Sequence, residues 1–152
     1  MKLFKKKTIV SMLMLFVLAL AIAIPASAAD QDYTFYNPAT SSTSHASSSI
    51  DGPAVVTEVS PGNYQVQITL KNQGTYMGIT LPASYAYLNA DVNGAPSGDG
   101  VYEVTATRSA TSTHTTFTFS GLTNSTYNVP IQLQTTVAGF HSSVHTLVID
   151  WN

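Results

Sequence analysis

His141 and His145 are the two side chains of this sequence whose type and spacing best suit binding a metal together, because imidazole is the commonest metal-binding side chain. They lie four residues apart in a segment rich in Val, Thr and Ile, which favours a β-strand over a helix. If Asp150 faces water, strand alternation turns Leu147 and Ile149 toward the core, and both histidines share their parity. The spacing therefore predicts two imidazoles on the inner face of the last strand.

Two features of this segment leave alternatives open. Burying a neutral imidazole without a partner is costly, so each ring needs a backbone or hydroxyl group, or a metal. Residues four apart in a straight strand are separated by about 13 Å, so the rings converge only if the predicted hairpin tip at Ala138-Gly139 bends the chain. A register shifted by one residue would turn Phe140 and Val144 inward instead. The histidine register is preferred because it alone keeps the apolar residues of the strand, Trp151 among them, on the core side.

The remaining polar residues do not show the usual sequence patterns of an enzyme active site. The eight carboxylates are scattered, no glycine-rich phosphate loop follows a strand, and no Gly-x-Ser-x-Gly elbow occurs among the many serines. His114 lies beside a Ser/Thr loop and is expected to be solvated. The sequence therefore predicts a protein that is not an enzyme.

The amino-terminal segment has the composition of a secretory signal. Lys2 and Lys5–Lys7 precede a largely apolar run at residues 9–24, which ends in Pro25 and the small residues Ala26-Ser27-Ala28. A basic region, an apolar region and an A-x-A site predict a signal peptide over residues 1–28, cleaved after Ala28. A retained membrane anchor is the alternative, since the run is about long enough to span a bilayer. We expect one domain over residues 29–152, secreted to the cell exterior, either free or held at the surface.

The charge of the predicted mature chain excludes several kinds of partner. Only Lys71 and Arg108 remain as cations against eight acids, so the net charge is 2 − 8 = −6. Binding to a nucleic-acid backbone or to an anionic membrane surface needs clustered Lys and Arg, which are missing. The sequence holds no cysteine, which excludes disulfides and thiolate metal sites. No second apolar span follows, so no membrane insertion is expected after signal removal.

Short segments rich in Val, Ile, Thr, Tyr and Phe, separated by Gly, Pro, Asn and Ser, predict an all-β protein. Polar and apolar residues alternate cleanly from Tyr64 to Leu70, as in a strand with one buried face. Eight or nine such strands predict an immunoglobulin-like antiparallel β-sandwich. The Ser/Thr-rich stretch at residues 39–49 is predicted to be a loop with one helical turn ending near Ile50. The expected strands are residues 33–36, 54–59, 64–70, 77–81, 85–91, 101–107, 115–120, 127–136 and 144–151.

From Tyr33 to Trp151 the chain resembles the NEAT (near-iron-transporter) domain family, haem-binding immunoglobulin-like modules of Gram-positive bacteria. The last hairpin is similar to the family's Tyr-x-x-x-Tyr strand, in which the first Tyr ligates iron and the second hydrogen-bonds to it; both tyrosines are histidines here. The lip over the haem looks shortened, with Ile50 in place of the usual Met. No single motif is strong, and the match rests on their order: Tyr33-Thr34-Phe35-Tyr36, Ser47-Ser48-Ser49-Ile50, Pro53-Ala54-Val55-Val56, residues 63–72, residues 115–122 and the final hairpin.

The resemblance implies a non-enzymatic haem-binding protein, a hemophore or haem relay in iron acquisition. By this resemblance His141 is the axial ligand of the haem iron, and His145 is its second-shell partner or an alternative ligand. Phe140, Val137 and Ile50 would form apolar walls, and the hydroxyls of Ser47, Ser48 and Ser49 would bind the propionates. The expected partners are haem, host haemoproteins and another haem-transfer protein of the NEAT type.

A sixth iron ligand could come from His45 or Met77, although Met77 is expected to be ordinary core. The net charge of −6 and the scarcity of Lys and Arg disfavour very tight capture of dianionic haem. They fit a protein that passes haem on.

Two other functions stay open at this point. One is an adhesin or carbohydrate-binding sandwich that uses Tyr85, Tyr87 and Tyr102 as exposed stacking surfaces. The other is a copper or zinc carrier that uses His141 and His145 without a porphyrin.

Overall fold

The computed structural model describes residues 27–152, so the predicted signal peptide lies outside the described residues except for Ser27 and Ala28. Within this part of the chain, twelve strands and one 3₁₀ helix form the fold. No helix there is long and apolar enough to cross a membrane. In chain order the elements are β1 (Ala28–Gln31), β2 (Tyr33–Asn37), β3 (Ser42–Thr43), the 3₁₀ helix (His45–Ser49), β4 (Ala54–Ser60), β5 (Asn63–Lys71), β6 (Gln73–Tyr76), β7 (Ile79–Ala90), β8 (Val104–Thr105), β9 (Thr107–Ala110), β10 (His114–Leu122), β11 (Val129–Val137) and β12 (His141–Trp151).

The strands form two antiparallel sheets that pack face to face. One sheet has the order β1-β4-β5-β10-β9. The other has the order β3-β2-β12-β11-β7-β6, with β8 paired to β7 beside this path. The all-β, immunoglobulin-like sandwich predicted from the sequence is confirmed, with more strands than the eight or nine expected.

Alternating apolar residues supply the core between the sheets. On β5, Val66, Ile68 and Leu70 are fully buried, while Gln67 between them is exposed. On β12, Leu147 and Ile149 are fully buried in the same way. Each such side chain contributes about 1.5–3 kcal/mol when it is removed from water, so the sandwich is stabilised without any disulfide.

Strand β7 is the main departure from the expected strands. Two separate strands were expected at residues 77–81 and 85–91, but one strand runs from Ile79 to Ala90. Pro82 lies between the two expected strands and has no N–H to give to a ladder. Its carbonyl still accepts a hydrogen bond from the Ala138 N–H at 2.8 Å, and residues 79–82 pair with β6, so the strand is continuous through the proline.

Three tight turns project from the same end of the β2–β12–β11–β7–β6 part of the second sheet. They connect β2 to β3, β6 to β7 and β11 to β12, and each contains a non-glycine residue with positive φ: Ser41 (51°), Met77 (53°) and Ala138 (53°). This backbone region costs an ordinary L-residue roughly 1–2 kcal/mol, and such outliers tend to cluster at binding sites. These turns surround the cavity described next.

Candidate functional site

A cavity of about 530 Å³ opens among these three turns and the 3₁₀ helix. Its volume falls within the range of about 300–1,000 Å³ that is typical of small-molecule sites. The lining is mostly apolar. Such a slot can hold a large, flat, apolar ligand that keeps a polar edge at the mouth.

The hairpin of β11 and β12 forms one wall of the cavity. Val137 pairs with His141 across the hairpin, and His141 and His145 both line the cavity. Val144, on the opposite parity, is 49% exposed and does not line it. The register of β12 is therefore the one that turns both imidazoles toward the cavity, and Phe140 lies at the rim with 84% of its surface exposed.

The two imidazoles lie on the same wall but do not form a hydrogen bond with each other. Strand β12 runs unbroken through His141 and His145, which keeps their Cα atoms about 13 Å apart. Burial lowers the pKa of His145, and the charge of His141 lowers it further. His145 is therefore neutral near pH 7, with a nitrogen lone pair free for a metal or a hydrogen-bond donor.

The 3₁₀ helix forms a second wall and is fixed at two points by its serines. The Ser47 hydroxyl accepts a hydrogen bond from the Phe35 N–H at 2.9 Å and donates to the Phe35 carbonyl at 3.2 Å. The Ser48 hydroxyl accepts from the Thr75 N–H at 2.8 Å and donates to the His45 carbonyl at 2.7 Å. These bonds tie the helix to β2 and β6, so that its amino-terminal residues, Ser44 to Ala46, line the cavity.

The structure corrects the expected positions of Ser47, Ser48, Ser49 and Ile50, none of which lines the cavity. The first two serine hydroxyls are engaged in anchoring the helix, and Ser49 is fully buried. Ile50 packs against the core and forms a bridge with Leu70 of the other sheet.

The polar residues that do line the mouth lie earlier in the same Ser/Thr-rich stretch, in and beside the β2–β3 turn: Asn37, Thr40, Ser42 and Thr43. The composition of residues 39–49 predicted a loop with one helical turn, but the direction of that turn decides which hydroxyls face the cavity.

The β6–β7 hairpin forms the third wall with Tyr76, Met77 and Leu81. The expectation that Met77 is core is wrong, because Met77 occupies the turn itself and is 94% exposed. The expectation of an exposed tyrosine surface is also wrong for Tyr85, which is fully buried on β7. Tyr85 lies on the same face of β7 as the buried Ala83, and the residues between and after them, Ser84 and Ala86, face solvent.

Behind this third wall lies a group of buried hydroxyls: Tyr33, Ser49, Tyr76 and Tyr85. The hydroxyls of Ser49, Tyr76 and Tyr85 lie near enough to influence one another's pKa, but none of the four makes a hydrogen bond of good geometry to a described residue. Burial raises the pKa of each of the three tyrosines, which keeps them protonated. Sequence patterning gives no sign of this group, since tyrosine is equally common in cores and on surfaces.

The other candidate site residues lie away from the cavity or do not assemble. His114 is partly exposed, and its Nε2 lies 3.0 Å from Oδ2 of Asp51, while the Lys71 amine lies 3.6 Å from Oδ1 of the same residue. Within residues 27–152, no group of three or more His, Asp or Glu side chains is arranged to hold a bare metal ion. A copper or zinc centre would therefore have to be built from His141 and His145 with no third protein ligand of these types.

A scan against protein-family models and a search of curated proteins find no match for this sequence. A search of solved structures finds the NEAT5 domain of IsdX2, a B. anthracis hemophore, in complex with heme, at 13% identity and a TM-score of 0.60 over 84% of this chain and 96% of that one. A point mutant of the same IsdX2 domain in complex with heme matches with a TM-score of 0.61 over 85% of this chain and 97% of that one, also at 13% identity. The chain therefore has the fold of a NEAT domain.

Proposed function

We propose that this chain is a secreted haem-binding protein, a hemophore or haem relay, in which His141 ligates the haem iron. The observation that carries the proposal is the pair His141 and His145 on one wall of a mostly apolar cavity. Two similar structures with this fold are haem complexes. Their likeness to this chain supports the ligand class, and the residues of the cavity support the mode of binding.

The cavity fits the two chemical halves of haem. Val137, Leu81 and Phe140 offer apolar contact for the porphyrin, and the β2–β3 turn offers polar groups for the propionates. The Asn37 Oδ1 atom accepts a bond from the Ala39 N–H at 3.0 Å, which leaves its amide N–H groups free to donate. We therefore assign propionate binding to the β2–β3 turn in place of the expected serines of the helix.

His141 suits the iron because it combines exposure with a wall position. It is exposed at the start of β12, where an incoming planar ligand can reach it. A neutral imidazole ligand binds both ferric and ferrous iron, whereas tyrosinate favours ferric iron, so the bound haem should have a higher reduction potential than with tyrosine. Because about 13 Å separates the Cα atoms of the two histidines, the neutral, half-buried His145 is too far away to hold the His141 ring, and we assign it the role of an alternative ligand on the same wall.

The charge distribution favours transient capture. Among residues 27–152, no Lys or Arg lines the cavity, so the propionates would be met by neutral hydrogen-bond donors, which bind more weakly than cations. A protein that gives up haem readily suits a relay between host haemoproteins and another NEAT-type protein.

The test is a hemin titration of the secreted chain monitored by its visible absorption. For the wild type we expect a shift of the Soret band that saturates at one hemin per chain. In His141→Ala the Soret band should no longer shift. His114→Ala is the matched control, since it removes an imidazole outside the cavity. A chain whose spectrum does not change with hemin, or a His141→Ala variant that behaves like His114→Ala, would contradict the proposal.

A copper or zinc carrier would instead bind those ions with no response to hemin.

A further inference from the structure

We propose that His45 is a second axial ligand of the haem iron, on the opposite side of the porphyrin from His141; this inference rests on the proposed haem-binding function. His45 and His141 line the same cavity from different walls, the 3₁₀ helix and the β11–β12 hairpin. Three of the four histidines of the chain thus line this one cavity: His45, His141 and His145.

The threefold period of the helix explains why His45 faces the cavity. Residues three apart lie above one another in a 3₁₀ helix. Ala46 and Ser49 form the buried face of this helix, and His45 and Ser48 form the adjacent exposed face. Ser48 is used to bind β6, which leaves His45 as the free side chain of that face, at the end that lines the cavity.

The anchoring of the helix gives His45 a defined position. Its amino-terminal cap is Ser44, whose N–H donates to the Phe35 carbonyl at 2.7 Å and whose hydroxyl accepts from the Ala46 N–H at 3.3 Å. With Ser47 also bonded to Phe35, the backbone on both sides of His45 is tied to β2. The ring of His45 makes no hydrogen bond to another described residue and has nothing to give up on binding a metal.

Met77 is the competing candidate, because its thioether also lines the cavity and is a known type of iron ligand. The Met77 side chain is 94% exposed at the tip of the β6–β7 hairpin, and it has three rotatable bonds, one more than the side chain of a histidine. A flexible exposed side chain loses conformational entropy when it binds. The anchored imidazole is therefore favoured over the thioether.

Two imidazole ligands have a distinct spectroscopic consequence. A pair of strong axial nitrogen ligands makes ferric haem six-coordinate and low-spin, whereas one imidazole with a weakly bound water leaves it largely high-spin. The spin state thus reports the second ligand independently of whether haem binds at all.

The experiment is electron paramagnetic resonance of the hemin-loaded chain, in the wild type, His45→Ala and Met77→Leu. We expect a low-spin ferric signal in the wild type and in Met77→Leu, and a high-spin signal in His45→Ala, with hemin still bound. Free imidazole added to His45→Ala should restore the low-spin signal, because the sixth position of the iron is then open to an added nitrogen ligand. His45 is exposed and its ring unbonded, so the variant should fold, and its denaturation curve should match the wild type.

The outcomes separate this inference from the function on which it rests. A low-spin signal that survives in His45→Ala but is lost in Met77→Leu would overturn it in favour of the thioether. A high-spin wild type with bound hemin would overturn it while leaving His141 ligation intact. Failure of the wild type to bind hemin would overturn both.

Discussion

Replacing Gly74 by alanine tests how closely the 3₁₀ helix and β6 must approach each other. Gly74 is buried, and a Cβ atom built there lies 2.6 Å from the Ser49 hydroxyl, 2.9 Å from a ring carbon of Tyr76 and 3.1 Å from the Ser48 hydroxyl. Its φ is not positive, so the strain comes from crowding and not from the backbone. Overpacking of this kind costs about 1–3 kcal/mol, reduced by about 0.5–1 kcal/mol because alanine restricts the unfolded chain.

The expected net loss is about 1.5–2 kcal/mol, since a fully buried serine cannot move away easily. In a domain of this size that lowers the melting temperature by roughly 4 °C per kcal/mol. Chemical denaturation followed by Trp151 fluorescence measures the loss directly. Because the crowding pushes the helix away from β6, hemin affinity measured where the chain is folded should also fall, by about tenfold.

Gly62→Ala is the matched control for this substitution. Gly62 has a φ of +70° in the β4–β5 turn, and a Cβ there meets nothing within 4 Å. The variant should lose about 1 kcal/mol through backbone strain and bind hemin as the wild type does. If Gly74→Ala is as stable as the wild type, or binds hemin as tightly as Gly62→Ala, the close approach of the helix to β6 does not control the site.

Three further predictions concern single side chains around the cavity. Tyr85→Phe removes a buried hydroxyl that makes no hydrogen bond of good geometry, so the free energy of unfolding should stay constant or rise by up to about 1 kcal/mol; a clear loss in urea denaturation would show that its contacts with Ser49 and Tyr76 are stabilising. Burial lowers the pKa of folded His145. Below about pH 6.5 the unfolded state therefore binds the proton first, and the free energy of unfolding decreases as the pH is lowered. Denaturation of the ligand-free chain as a function of pH should therefore show a smaller loss in His145→Gln, and equal losses would contradict that burial. Phe140→Ser should change stability by less than about 0.5 kcal/mol, because the ring is 84% exposed, yet speed hemin release in stopped-flow transfer assays; unchanged release would exclude contact with the ligand.

The sheet elements could be predicted because their alternation is a local property of the sequence. Runs such as residues 64–70 predict a strand and its buried face together, since side chains alternate with a period of two. The same parity predicted that His141 and His145 share a face, and the structure has them on one wall. Short edge strands carry too few residues to show a period, which is why β1 and β3 (Ser42–Thr43) were not expected.

Positions that depend on turns and on a short helix could not be predicted from periodicity. Met77 looked like core because it is apolar, but a tight turn with Gly78 carries it outward. The serines of residues 47–49 looked free to bind a ligand, but neighbouring strands bring backbone groups of Phe35 and Thr75 to two of them. These contacts join residues 12 and 27 positions apart in the chain, and no local pattern reports them.

The crystal structure of the chain with hemin tests the central claim most directly, because it identifies the atom bound to iron. We predict a porphyrin in the cavity between the helix and the β11–β12 hairpin, with a nitrogen of His141 on the iron and the propionates toward the β2–β3 turn. Iron bound through a side chain outside this cavity, or a porphyrin held with His141 turned to solvent, would contradict the account.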